Sequence, residues 1–248
     1  MAFRAVLFDI GDTLWHAAEA PPPAEFRRLA AERAESYFTS IGRNCKNPAR
    51  VARLAWDSLE EATRAARRSD RREPDYVAVA QAALAAAKVD LSRNEAGGLI
   101  EAIYVSGVEG GKVAYPGARE LLDTLRGRGY KLGIITNRAF GGERFRDDLR
   151  EAGLDIGWDA NVVSVEVGYL KPHPVIFEHA LQELGEPGTR TVMVGNSLAE
   201  DIAGAQAFRM ATAWKRSAPD AEGVTPDFVF DDVRELLNWA PLAGVSDE

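Results

Sequence analysis

The sequence predicts an α/β protein: a parallel-sheet core interrupted by an inserted block of helices. Three observations predict it. Residues 116–248 alternate short apolar runs with helical periodicity, the pattern of βαβ units and a parallel sheet. Residues from about 22 to 108 are rich in Ala, Arg, Glu and Leu and show no strand alternation. A single apolar strand, residues 3–8, precedes that block and must join the later sheet, because a lone strand leaves its edges unpaired. The expected division is 1–15 with 113–248 as the core and 16–112 as the helical insertion.

The elements follow in order. Strand 3–8 is a buried-type apolar run bounded by Asp9 and Gly11. Helices are expected over 22–41, 48–69, 74–88 and 92–106, broken at Gly42, Asn47-Pro48, Pro74 and Asp90, residues that end or start helices. Ala20–Pro23 and Gly107–Gly111 read as the hinges of the insertion. Beyond them come helix 116–127, strand 131–135, helix 142–152, strand 160–165, helix 173–184, strand 191–194, helix 199–207, strands 210–214 and 227–230, and helix 232–239.

Composition narrows the function. The 248 residues carry 30 Lys+Arg against 38 Asp+Glu, a net charge of −8, which argues against a nucleic-acid or anionic-membrane binder. Residues 15–112 hold 15 Lys+Arg and 14 Asp+Glu, so the acidity belongs to the α/β part. The basic run Arg64–Arg72 reads as a solvated helix end, with contact to an anionic ligand or partner as the sharper reading. The one cysteine, Cys45, excludes an internal disulfide and a multi-cysteine zinc site and fits a cytoplasmic protein. It lies in an expected inter-helix turn with no base beside it. The apolar run before Asp9 is too short for a signal segment or membrane span. A monomer or homodimer is expected.

Sites in open parallel sheets form beyond the carboxyl ends of strands. Four such ends carry polar groups: Asp9-Ile10-Gly11-Asp12-Thr13, Thr136-Asn137, the stretch from Glu166 to Lys171-Pro172, and Gly195-Asn196-Ser197 followed by Glu200-Asp201. Carboxylates in one place can hold a hard cation. A lysine, a threonine and backbone N–H groups can cradle a phosphoryl group. Taken singly, Asp9 and Asp12 also suit a turn, Thr136 a helix N-cap, and Asp201 the first turn of a helix.

With these motifs in this order, the sequence resembles the haloacid dehalogenase-like (HAD) hydrolase superfamily over nearly its whole length. Tyr115–Ala118 and Ile202–Ala205 support the resemblance. It implies a Rossmann-like core, a helical cap inserted after the first strand, and hydrolysis of a small phosphorylated metabolite through an aspartyl-phosphate. By position, Asp9 is the expected nucleophile and a Mg²⁺ ligand, and Lys171 offsets charge. Thr136 and the Asn137 N–H hold phosphoryl oxygens. Asp201, the Gly11 carbonyl and Asn196 complete the metal set.

Two positions depart from the family pattern. Phosphatases of this family usually read Asp-x-Asp-Gly-Thr, whose second Asp serves as acid and base; Gly11 stands there, with Asp12 one residue later. Asn196 stands where many relatives have Asp, which removes one negative charge from the expected metal site. Dehalogenases usually carry an aromatic residue at the Gly11 position. Phosphonatases carry a small one and use a cap lysine as a Schiff base; Lys46, Lys88 and Lys112 are the lysines available, none in a context that predicts a depressed pKa. Three readings therefore stand: phosphatase, dehalogenase or phosphonatase, and a non-catalytic phosphate-binding module. His16 is the histidine placed to act as a substitute acid, with packing as its plainer role. His173 is expected to start a helix, and His179 carries no assignment. Trp15 is expected near the pocket mouth, and Trp158, Trp214 and Trp239 in packing.

Overall fold

The apolar run Ala5-Val6-Leu7-Phe8 is wholly withdrawn from solvent and becomes the inner strand around which the sheet is built. The computed structural model describes residues 2–18, 20–217 and 223–242. Its elements in order are β1 (Ala5–Phe8), β2 (Trp15–His16), α1 (Pro23–Ser40), α2 (Pro48–Arg67), α3 (Tyr76–Ala86), α4 (Arg93–Ile103), β3 (Val113–Ala114), α5 (Ala118–Gly127), β4 (Lys131–Thr136), α6 (Gly142–Glu151), β5 (Ala160–Val163), α7 (Ser164–Val167), α8 (Pro174–Leu184), β6 (Thr191–Gly195), α9 (Ala203–Gln206), β7 (Ala211–Lys215) and β8 (Phe228–Phe230).

Six strands form one sheet in the order β5-β4-β1-β6-β7-β8, every pair parallel. The fold class is therefore the expected one. The side-chain period of two divides β1 between two apolar layers. Val6 and Phe8 face Leu121, Leu122 and Leu125 of α5 with Phe145 of α6. Ala5 and Leu7 face Ile176, Phe177 and Leu184 of α8. A parallel sheet buried on both faces explains why its strands read as continuous apolar runs.

The chain divides into two compact units, residues 1–18 with 112–248, and residues 19–111. The second unit holds α1 to α4. Helix α2 starts at Asn47, whose side chain accepts from the Arg50 N–H, with Pro48 in the first turn. Helix α4 starts in a capping box in which Ser92 and Glu95 each accept from the other's backbone N–H. Both starts satisfy amide donors that a helix leaves open.

Several local expectations change. The expected helix 199–207 is a π turn over Leu198–Ile202 followed by the short α9. The expected helix 232–239 is a 3₁₀ segment over Val233–Asn238. Strand 160–165 stops at Val163 because Ser164 opens α7. The short ribbon of β2 and β3, with Trp15 opposite Ala114 and His16 opposite Val113, was not expected. Two residues per strand are too few to show alternation in sequence.

Candidate functional site

Strand register collects the polar strand ends. Phe8 pairs with Ile134 on one side and Val194 on the other. Asp9 thus follows β1 while Thr136 ends β4 and Gly195 ends β6, on the two neighbouring strands. The Asp9 N–H donates to the Val194 carbonyl at 2.9 Å, which carries the ladder one residue past the strand.

The chemical centre is Lys171. Its ammonium donates to Asp9 Oδ1 at 2.8 Å, to Asp201 Oδ1 at 2.7 Å and to the Ile135 carbonyl at 2.8 Å. Lys171 and Asp201 are 2% and 1% exposed and Asp9 is 7% exposed. An ammonium so deeply buried needs this complete set of partners. Burial alone would lower its pKa, but the Asp201 and Asp9 carboxylates override that and hold it above the ordinary lysine value. The Asp201 pKa is raised as well, which for an acid favours the neutral form. Burial and the charge of Asp9 raise its pKa, although Lys171 and the Ser197 N–H oppose the shift.

The second oxygens of both carboxylates are also fixed. Asp9 Oδ2 accepts from the Thr13 hydroxyl at 3.1 Å, and Asp201 Oδ2 accepts from the Ser197 N–H at 2.9 Å. Gly195 makes room for this: a Cβ there would lie 2.4 Å from the Asp201 carboxyl carbon. Asn137 acts as a clamp. Its Oδ1 accepts from the Lys171 N–H at 2.7 Å, while its Nδ2 donates to the Lys171 carbonyl at 3.3 Å and to Glu200 at 3.1 Å. Asn137 therefore holds the backbone that carries the lysine.

Other expected residues lie around this centre. Thr136 is buried at the end of β4. Gly11 is open: a Cβ there would meet nothing within 4 Å. The Asn196 carbonyl accepts from the Trp214 indole and the Ser217 hydroxyl, both at 2.9 Å. Glu166 serves elsewhere, accepting from the Gly142 N–H at 2.7 Å beside α6. Asp12 is exposed with φ +54°. His16 stacks flat on Tyr115, with ring centroids 4.1 Å apart. The His173 side chain caps α8.

Two residues differ from their sequence reading. Trp15 is 1% exposed and packs edge-on against Phe145, a core position rather than a lining one. Lys112 belongs to the first unit, is half-buried, and its pKa is lowered by burial and by the nearby Arg138 charge. Arg138 itself was not anticipated. It donates to buried Asp148 at 2.6 Å and lies over the rings of Phe145 and Trp15. Its position directly after Thr136-Asn137 was the available signal.

The donor set suits a hard divalent cation. Two carboxylates converge on one ammonium and leave a net negative, largely buried centre with oxygen donors only, the ligand type Mg²⁺ takes. Among the described residues no group of three or more His, Cys, Asp or Glu gathers to hold a metal. No described helix is long and apolar enough to cross a membrane.

Comparison with known proteins places this arrangement. The chain is 37% identical over 124 residues to the pyrimidine 5′-nucleotidase YjjG of Escherichia coli, covering 49% of this chain and 54% of that protein. It is 40% identical over 93 residues to the glyceraldehyde 3-phosphate phosphatase of Methanothermobacter thermautotrophicus, covering 37% and 39%. These matches span about half or less of each relative's length. Among solved structures it resembles a HAD phosphatase from Thermococcus onnurineus (TM-score 0.59, 24% identity, 95% and 97% covered). It also resembles a 2-haloacid dehalogenase from Pseudomonas syringae (TM-score 0.63, 22% identity, 97% and 98% covered), a likeness of fold. The profile of the haloacid dehalogenase-like hydrolases matches residues 3–209, and the chain belongs to that family.

Proposed function

We propose that this chain is a Mg²⁺-dependent phosphatase that acts on a small phosphorylated metabolite through an aspartyl-phosphate intermediate, with the inserted helices α1 to α4 as its cap. One observation carries the reading: a single buried ammonium, Lys171, joins Asp9 and Asp201 at the ends of β1 and β6. Asp9, Asp201, the Gly11 carbonyl and Asn196 would hold Mg²⁺. Bound there, it supplies positive charge between the Asp9 carboxylate and an anionic phosphoryl group.

The chain's own residues do the rest. An Asp9 oxygen attacks phosphorus, and the ester P–O bond breaks with its electron pair leaving on the alcohol oxygen. Lys171 orients Asp9 and offsets the repulsion between two anions. The Thr136 hydroxyl and the Asn137 N–H hold non-bridging oxygens. Water then attacks the phosphorus of the aspartyl-phosphate, releasing phosphate and restoring Asp9. No side chain stands at Gly11 to protonate the leaving oxygen, so that proton comes from solvent. Esters with good leaving groups should therefore outrun alkyl esters by a wide margin.

The test is a phosphatase assay with aryl and alkyl phosphates, with and without Mg²⁺, on wild type and Asp9→Asn. Asp9→Asn should fall below about one-thousandth of wild-type turnover; a rate near wild type excludes Asp9 as nucleophile. Equal aryl and alkyl rates exclude the acid-free route. Dehalogenation that survives chelation supports the dehalogenase instead, and phosphate binding without turnover supports the binding module. Borohydride trapping of a lysine with a phosphonoaldehyde supports the phosphonatase.

A further inference from the structure

The β2–β3 ribbon gathers positive charge that the phosphoryl chemistry does not use. Lys112 directly precedes β3, and its ammonium lies 5.1 Å from the centre of the Trp15 ring. Across the ribbon, Trp15 pairs with Ala114. The Arg138 guanidinium carbon lies 5.4 Å from the same ring, so two cations share one indole.

Their surroundings differ. Arg138 is paired with the buried Asp148 carboxylate. Among the described residues, Lys112 has neither a hydrogen-bond nor an ion-pair partner. Asp148, Asp12 and Asp9 attract its charge, but none is within contact. The Trp15 indole N–H, in a side chain 1% exposed, is likewise without an acceptor. A half-buried ammonium beside a second cation, next to an orphaned N–H donor, is costly unless an anion meets it. Contact with the ring offsets only part of that cost.

We propose that Lys112 recognises a second anionic group on the substrate, so that preferred esters carry a carboxylate or a further phosphate beside the phosphoryl that is transferred. This rests on the phosphatase reading. It makes Lys112 a specificity-determining residue rather than part of the Asp9–Lys171–Asp201 centre. Lys171 is committed to two carboxylates and a carbonyl, so it has no donor left for a second anion. Lys112 has all of its donors left.

The test uses two matched pairs: 3-phosphoglycerate with glycerol 3-phosphate, and fructose 1,6-bisphosphate with fructose 6-phosphate. Wild type should favour the more anionic member of at least one pair by about 10- to 100-fold in kcat/KM, the range of a hydrogen bond to a charged group. Which pair responds tells carboxylate from phosphate. Lys112→Gln should erase that preference while leaving the less anionic member within about threefold of wild type, and Lys112→Arg should keep it. Equal losses on both members of a pair, or no preference in wild type, overturn the proposal. If nothing is turned over, the phosphatase reading has failed, and calorimetric binding of the same pairs to wild type and Lys112→Gln decides the inference. Tighter binding of the more anionic member, lost in Lys112→Gln, supports it; equal binding overturns it.

Discussion

Gly11 separates two kinds of absence. A glycine can mark a place where no side chain fits, as at Gly195, where a Cβ would press on the Asp201 carboxylate. Gly11 is different: its Cβ position is empty to 4 Å, and it is not among the glycines with positive φ. The missing acid is therefore a matter of chemistry rather than space. Asp12 is a poor replacement, exposed on a residue with φ +54°, and His16 lies flat on Tyr115. Gly11→Asp should fold normally and raise kcat on alkyl phosphates, by up to the roughly 10²- to 10⁴-fold that a placed acid/base contributes. Aryl phosphates, which need little protonation, should gain much less. Steady-state kinetics on both ester classes check this, and an equal gain on the two would show that the new carboxylate acts through the metal site instead.

At the scale of elements, helix α4 offers a clean test of one local device. Glu95 accepts from the Ser92 N–H, pairs with Arg43 at 2.9 Å, and has its pKa lowered to about 2 by the Ser92 amide first and Arg43 second. A depressed carboxylate stabilises the fold above its ordinary pKa near 4.5, and that contribution is lost as pH falls toward the folded value. The Tm difference between wild type and Glu95→Gln should therefore be full at pH 6 and shrink steadily from pH 4.5 toward pH 2.5. A gap that does not change with pH would mean that Glu95 acts through packing alone. The helix boundary at Asn47-Pro48 was readable in sequence, because those residue types start a helix. The strands were readable for a related reason: burial on both faces leaves apolar runs such as Ala5–Phe8 and Thr191–Gly195. The turn over Leu198–Ile202 was not readable. Its composition is helical, and it widens because the Ser197 N–H meets the Asp201 carboxylate and the Ser197 carbonyl receives the Asp201 and Ile202 N–H groups, contacts that only the folded strand end defines. The β2–β3 ribbon is hidden for want of length, and with it the position of Lys112 against Trp15.

At the scale of the whole molecule, the proposed Mg²⁺ site would couple folding to cation binding. The candidate site residues Asp9, Thr136, Lys171 and Asp201 were legible because each follows or ends a recognisable strand or motif, whereas the bridging of Asp9 to Asp201 by Lys171 joins residues 162 and 30 positions apart and needs the sheet register to exist. That bridge stabilises the fold only while both charges are balanced. Lys171→Met leaves two buried carboxylates facing each other without their ammonium, and breaking a buried pair in this way costs about 3–5 kcal/mol. At roughly 2–4 °C per kcal/mol for a chain of this size, Tm in chelator should drop by about 6–20 °C. On the proposed reading Mg²⁺ binds the native carboxylates and not the unfolded chain, so at about a hundredfold excess over its Kd it should add about 2.7 kcal/mol to wild type. It should raise Tm more in Lys171→Met, where it must replace the lost positive charge. Asp201→Asn removes one of the two carboxylates, and its Tm should respond to Mg²⁺ only weakly. Calorimetry of the three proteins with and without Mg²⁺ orders them; identical Mg²⁺ shifts in all three would place the cation elsewhere on the acidic surface and remove it from the Asp9–Asp201 centre.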